Sequence, residues 1–497
     1  QAVFCSTGTK PTAGVPDASV PVLAEMFGCS VLLRSLLCGA SLGLVATQQV
    51  GTQQPEVHPE MWMEVDCTKS ECKWEKKSVV IDANWRWFNK DGQNCYMEDN
   101  TWNPATCSDP VKCAQTCGLD GADYAATYGV FPTAYKDGMK LEFVTKGPYS
   151  TNYGSRLYVM DGEDTYKIFK LKNREFAFEV DVSELRCGLN GAVYFVEMDR
   201  KGGWDGGNNK AGAKYGTGYC DAQCPHDIKF IGGQANLINW NHTAIPPTGH
   251  YGTCCAEMDI WEANNMATAF TPHVCKKPGL TMCEGVTCGD TDKGERYLGI
   301  CDKDGCDYNP FRMGDHRFYG DGPRFDVDTS RPFTVVTQFI TTDGTDEGDL
   351  SEIKRFYIQD GEVIPNSDAR VLGRDSGNSL TDEFCDAQKA KFGDPNDFGN
   401  KGGMKAMGEA LDRGMVLVLS LWDDTQVNML WLDSAYPTDQ PPRKPGVLRG
   451  PCPGGADSEP SFLRENFPQA KVEYSRFKVG EIGSTYAGAR RAAENLV

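Results

Sequence analysis

Along most of its length the chain alternates apolar and polar residues with a period of two. In "REFAFEVDVS", Phe176, Phe178, Val180 and Val182 fall on one face and Glu179 and Asp181 on the other. That is how a half-buried strand reads. Strands are also expected in "SVVIDANWRWF" (78–88), "GAVYFVEM", "FTVVTQFITT", "EIKRFYIQ", "GMVLVLSLW" and "KVEYSRFKV", with clusters of Gly, Asn, Asp and Pro between them. Helices are few and short; "LTDEFCDAQKAKF" and "KGGMKAMGEALDR" are the best candidates. Many strands joined by long polar loops predict an all-β fold, a β-sandwich or jelly roll. Loops of that length are where function tends to sit.

No internal repeat and no Pro/Ser/Thr-rich linker interrupts this pattern, so residues 48–485 read as one domain. The final "YAGARRAAENLV" reads as a C-terminal tail over 486–497, and no further Cys-rich carbohydrate-binding module is visible. Near the other end, "MFGCSVLLRSLLCGASLGLVAT" (26–47) has Arg34, an apolar run and small residues at its close. It is expected to be a secretory signal, too short to span a bilayer as a mature helix, with an N-terminal anchor as the alternative. Residues 1–25 show no clear pattern and carry no fold argument.

Composition narrows the picture. With 497 residues, 40% hydrophobic and 24% charged, the chain is an ordinary globular protein. Its net charge of −19 argues against nucleic acid and anionic membranes as partners. It suits a neutral or cationic substrate, although most of these charges simply solvate the surface. The 21 cysteines are odd in number, but Cys5, Cys29 and Cys38 lie before residue 48. The remaining 18 can form up to nine bridges, as a secreted protein would. Clusters such as Cys107, Cys113 and Cys117 lack the paired spacing of a zinc site.

The candidate chemistry lies in "CCAEMDIWEANN" (254–265), where Glu257, Asp259 and Glu262 occupy six residues. Crowded carboxylates repel, so one is expected to stay protonated near neutral pH. Two carboxyl groups in unequal protonation states are what acid/base chemistry on a sugar bond requires. On a regular strand Glu257 and Asp259 share a face but Glu262 has the wrong parity; a bulge near Ile260–Trp261 would bring it round. A solvated acidic strand end or a calcium site is the alternative reading of the spacing.

This stretch, with its preceding Cys pair, resembles the catalytic signature of glycoside hydrolase family 7, the fungal-type cellobiohydrolases and endoglucanases. The resemblance runs from "QQVGTQQPEVHP" at Gln48 to "GEIGST" near Thr485. It includes "VVIDANWRW", "CGLNGAVYFVEMD", "CDAQCPHDIKFIGGQAN", "TPHVC", "CDYNPFRMG", "GMVLVLSLWDD", "MLWLDSAYPT" and "LRGPC". It implies a concanavalin-like jelly roll of two curved antiparallel sheets, with long disulfide-stapled loops forming a tunnel.

By that resemblance Glu257 is the nucleophile, Glu262 the general acid/base and Asp259 the supporting carboxylate, with His273 near the acid/base. Trp85, Trp87, Trp422 and Trp431 are implied as stacking platforms for glucose rings, and Trp85 and Trp87 are expected on one strand face. Asn190, Tyr194, Asp221, Gln223 and Asp227 are implied as hydroxyl-binding groups. Arg296, Asp304, Asp307, Arg312 and Arg449 are placed around the product sites. Cys254 and Cys255 are implied to pair with Cys220 and Cys224.

"GDTDKGERYLGI" (289–300) and "SAYPTDQPPRKPGVLRGPC" (434–452) resemble cellobiohydrolase roof segments, whereas "LINWNHTAIPPTGHYGTCC" (237–255) looks a few residues short. Gly51 and Gly118 stand where the fullest family pattern has one further bridge. Asn241-His242-Thr243 is an N-glycosylation sequon in an expected loop. No metal and no redox or nucleotide cofactor is implied. The expectation is a secreted monomeric cellulase that takes a cellulose chain and releases cellobiose from chain ends. An endoglucanase of the same family and a glucan-binding lectin-like protein are the competing readings.

Overall fold

The computed structural model describes residues 48–203, 209–290, 295–373 and 376–486. The expected signal segment, the residues before it, the tail beyond Tyr486 and positions 291–294 of one expected roof segment lie outside the described residues.

Twelve strands carry the architecture: β1 (Glu60–Cys67), β2 (Lys73–Ile81), β3 (Ser155–Met160), β4 (Arg174–Asp181), β5 (Leu189–Val196), β6 (Glu257–Ala263), β7 (Thr268–His273), β8 (Phe333–Thr341), β9 (Leu350–Gln359), β10 (Glu362–Pro365), β11 (Met415–Asp423) and β12 (Lys471–Gly480). They hydrogen-bond in the order β7-β6-β5-β11-β3-β2-β1-β12-β4-β8-β9-β10. Each neighbouring pair is antiparallel except β1–β12, which is parallel and broken by a register shift. The path folds back at that junction, so the strands before and after it face one another as two sheets.

Alternation explains the sandwich. Val193, Phe195, Leu417 and Leu419 from one sheet meet Phe176, Phe178, Val180, Val335, Phe339 and Tyr357 from the other in a single core. The Phe176 and Phe195 rings lie 5.1 Å apart across it. Burying each such side chain contributes about 1.5–3 kcal/mol. On the other face of the first sheet, Val80, Tyr158, Ala192, Tyr194, Val196, Val416 and Val418 form a second apolar floor. Glu257, Asp259 and Glu262, described below, stand on that outer face.

Nine disulfides use every cysteine among the described residues. Cys220–Cys255 and Cys224–Cys254 staple a loop to the segment entering β6. The short strands Gln49–Val50 and Gly118–Leu119 pair in parallel. A Cβ on Gly118 would come within 2.8 Å of the Gly51 Cα. Close backbone packing therefore holds the segment where the fullest family pattern has one further bridge.

The strand expected over 78–88 stops at Ile81. The Asp82 carboxylate accepts a hydrogen bond from the Asn84 amide at 2.6 Å and starts a 3-10 turn, Ala83–Trp85. Arg86 then turns inward to pair with Glu56 at 2.9 Å and donate to the Asp120 carbonyl at 3.0 Å. A capped turn and a buried ion pair override the apolar pattern, so Trp85 and Trp87 do not share a strand face. The two expected helices are present as Asp382–Phe392 and Gly403–Arg413.

Candidate active site

The parity of β6 is resolved by an irregularity at Ile260. Opposite β5, Val193 pairs with Trp261 and Tyr194 with Asp259, leaving Ile260 without a partner residue. The register with β7 also slips between Asp259 and Glu262. Met258, Ile260, Trp261 and Ala263 all point into the core. Ile260 and Trp261 are consecutive, so the alternation shifts by one there. Glu257, Asp259 and Glu262 are consequently left on the same outer face, as a bulge beside a functional site permits.

Glu257 accepts a hydrogen bond from the Ala222 amide at 3.0 Å, and Ala222 is held by the adjacent Cys220 and Cys224 bridges. Its carboxyl lies within hydrogen-bonding reach of Asp259. Asp259 is 3.2 Å from the His273 Nε2, and the opposite ring nitrogen Nδ1 donates to the Asp302 carbonyl at 2.9 Å. That carbonyl fixes the imidazole so that Nε2 addresses Asp259. Glu262 accepts from the Asn190 side-chain amide at 3.0 Å, while the Asn190 oxygen accepts from the Ala263 amide at 3.0 Å.

Burial raises the pKa of all three carboxyls. The nearby Asp259 and Asp221 charges push Glu257 up further, and Asp259 does the same to Glu262. The Ala222 amide opposes the rise at Glu257, and His273 opposes it at Asp259 and Glu262. Burial would lower His273, but Asp259 overrides it and lifts the imidazole to about 9, so it is a cation at neutral pH. The cluster holds more carboxyl groups than one imidazolium can neutralise, so it retains protons near neutral pH.

Asn190, Tyr194, Asp221 and Asp307 are the other expected residues tied directly to this trio. Asn190 has no exposed surface, so it orients Glu262 and the bulge and does not reach a ligand. The Tyr194 and Tyr219 hydroxyls are 3.0 Å apart, and Tyr219 donates to Asp221 at 2.7 Å. Arg156 stacks 3.4 Å over Tyr219, lies 5.3 Å from the Trp85 ring and pairs with Asp82 at 2.6 Å. Asp227 is raised by burial, partly offset by Arg156. Gln223 donates to the Lys303 carbonyl at 2.8 Å. Trp85 is half-buried; Trp87 is 40% exposed and donates to Asn94 at 2.7 Å.

On the other side, Trp422 and Trp431 stack at 26° with centroids 6.3 Å apart. Arg296 donates to Asp304 at 2.7 Å and holds its carboxyl below the usual range despite burial. Arg312 gives its donors to Asp307, to Asp394 at 2.9 Å and to the Gly446 carbonyl at 2.9 Å. Arg312 is buried, and these three bonds tie the corner together. Arg449 lies 3.8 Å from Asp307.

The sequence reading missed Arg156, Tyr219 and Lys229. Burial pushes Lys229 down to about 8, and its ammonium donates to the Asn84 carbonyl at 2.7 Å. The period-two spacing of Arg156 and Tyr158 in "SRLYVM" was the available signal for the first of these.

Paired carboxyls on one face, flat aromatic rings and polar side chains are features suited to a neutral sugar polymer. Comparison with known proteins agrees. A cellobiohydrolase of family 7 from Daphnia pulex is 51% identical, covering 88% of this chain and 100% of that one, with a TM-score of 0.84. A cellobiohydrolase from Melanocarpus albomyces, solved with cellotetraose, is 43% identical over the same shares, with a TM-score of 0.81. The Humicola insolens endocellulase EGI is 35% identical over the same shares, with a TM-score of 0.73. The family profile for glycosyl hydrolase family 7 matches residues 50–486, and the chain belongs to that family of cellulase-type glycosidases.

Proposed function

We propose that this protein is a secreted, retaining cellulase that releases cellobiose from the ends, specifically the reducing ends, of cellulose chains. The observation that carries the chemistry is the bulge at Ile260, which leaves Glu257, Asp259 and Glu262 on one face. Glu257 attacks the anomeric carbon while Glu262 gives its proton to the departing glycosidic oxygen. Glu262 then takes a proton from water as that water opens the glycosyl-enzyme ester. The Glu257–Asp259 pair shares a proton, and protonated His273 beside Asp259 tunes where it rests. Glu257 is free to attack once the proton sits on Asp259.

Trp85, Trp87, Trp422 and Trp431 stack glucose rings along the path. Asp221, Gln223, Asp227 and Tyr194 act on one side of the bond that is cut, and Arg296, Asp304, Asp307 and Arg449 on the other. Action from chain ends is supported by higher identity to the two cellobiohydrolases than to the endocellulase and by the retained segments at 289–300 and 434–452. Loops roofing the path slow dissociation of a threaded chain. Nine disulfides fit an oxidising, extracellular setting, and among the described residues no helix is long and apolar enough to cross a membrane.

The test is to incubate residues 48–497 with crystalline cellulose and compare soluble cellobiose with new reducing ends left on the solid. Mostly cellobiose is the expected result. Abundant insoluble ends would favour the endoglucanase, and no sugar at all the binding-only protein.

A further inference from the structure

The inward-facing positions of β9 include Ile353, Arg355 and Tyr357, and Arg355 is the exception among apolar neighbours. It is 1% exposed. No carboxylate lies within ion-pair distance of it among the described residues. An isolated buried cation is costly, so its place needs a reason. Its Nη2 donates to the Ile260 carbonyl, the backbone oxygen at the bulge between Asp259 and Glu262. Nη2 and Nε also donate to the Thr337 hydroxyl at 3.0 and 3.3 Å. The Phe270 ring of β7 faces the guanidinium at 4.4 Å, and the Tyr357 ring lies at 5.8 Å.

The bulge takes Ile260 out of the regular ladder with β5 and β7, and an interior carbonyl left without a donor is destabilising. Arg355 reaches across from the opposite sheet to supply that donor. Neither Ala263 nor Asn190 does so, because the Ala263 amide donates to the Asn190 oxygen and the Asn190 side-chain amide donates to Glu262.

We infer that Arg355 is the positioning residue that fixes the β6 bulge and thereby aims Glu262 at the glycosidic oxygen. It acts from the core side and touches no substrate. The inference rests on the acid/base reading of Glu262, and the experiment separates the two.

Arg355→Met, Arg355→Lys and Glu262→Gln would be assayed on an aryl cellobioside with a poor leaving group and on the 2,4-dinitrophenyl compound, which departs without protonation. Near-UV circular dichroism checks folding. For Arg355→Met, kcat on the poor leaving group should fall about a hundredfold with little change in KM, the loss expected for a group displaced by about 1 Å. The first-turnover burst of dinitrophenolate should survive. Azide, which attacks the glycosyl-enzyme without a general base, should restore steady turnover. Arg355→Lys, which keeps a donor and the charge, should recover most of the loss.

A first-turnover burst of dinitrophenolate slowed as much as turnover of the poor leaving group, a loss confined to KM or no rescue by azide would overturn the positioning role. Glu262→Gln lacking the same leaving-group dependence would bring down the acid/base reading and this inference with it. Should Arg355→Met fail to fold, Thr337→Val, which frees the guanidinium from its hydroxyl anchor, must show the same pattern more weakly. An unchanged profile in Thr337→Val and Arg355→Lys together would also overturn the role.

Discussion

The carboxylates of β6 and the corner formed by Asp307, Arg312 and Arg449 are both buried, yet their electrostatics run in opposite directions. On β6 three carboxyls face one imidazolium, and burial plus mutual repulsion raises all three. At the corner Asp307 is surrounded by Arg312, Arg449 and Lys389, which override burial and bring its carboxyl down to about 2. Burial and the Arg312 charge lower Arg449 to about 10. Burial opposes charge in both regions, so the ratio of counter-charges decides the outcome. Too few cations leave mobile protons, which chemistry requires. A sufficient number leaves fixed ions, which hold a polar corner in place.

The sharpest way to break the contrast is to remove a member of the under-compensated cluster. Glu257→Gln preserves volume and hydrogen bonding but cannot form the ester intermediate. Turnover of cellobiosides should fall at least about 10⁴-fold while the protein remains folded. Unchanged turnover would remove Glu257 from the mechanism.

At the compensated corner the loss should appear in stability. Asp307→Asn leaves Arg449 beside Arg312 without the charge between them, and should cost about 3 kcal/mol in urea unfolding. Because the folded pKa is lowered, the Asp307 contribution is complete above its unfolded value of about 3.9 and fades as pH falls toward 2. The gap between wild type and variant should therefore close on acidification. A gap independent of pH would mean that the corner is held by packing alone.

His273 links the two regimes, since among the described residues it is the cation that lowers Asp259 and Glu262. Its pKa is raised to about 9, so its stabilising effect is full below the unfolded value of about 6.5 and is lost as pH rises through 9. His273→Phe should therefore be less stable by about 3 kcal/mol at pH 6, with the difference shrinking as the solution becomes alkaline. A difference that grew toward pH 9 would place the wrong charge on the imidazole.

How far the sequence revealed these regions depends on how local their causes are. The sandwich strands were legible because alternation is a property of neighbouring residues, as at Phe176–Val182. The overrun past Ile81 arose because Trp85 and Trp87 mimic alternation, while the Asp82 cap and the Arg86–Glu56 pair depend on contacts the pattern does not contain. The β6 parity conflict was visible, and two adjacent apolar residues, Ile260 and Trp261, marked where it had to be resolved. Asn190 was singled out as a sugar ligand, yet its burial and its bond to Ala263 follow from the register of two strands distant in sequence. Arg355 left only a faint trace, a charged residue in the inward phase of "EIKRFYIQ". Its partner Ile260 lies 95 residues away.

The smallest effect is expected where aromatic contact acts on a neutral ligand and no charge changes. Trp431 is half-buried, stacks on Trp422 and donates to Asp424 at 3.2 Å. Trp431→Ala removes one of the rings proposed to stack on sugar but leaves Glu257, Glu262 and their hydrogen bonds untouched. Stacking of this kind is worth about 1 kcal/mol, so cellobiose inhibition should weaken roughly fivefold with kcat on aryl cellobiosides nearly unchanged. Because the indole ring itself carries no charge, the weakening should be the same at pH 5 and pH 8, unlike the effects of Asp307→Asn and His273→Phe. A pH-dependent loss would show that Trp431 acts through Asp424, so the aromatic side of the path would belong with the charged corner.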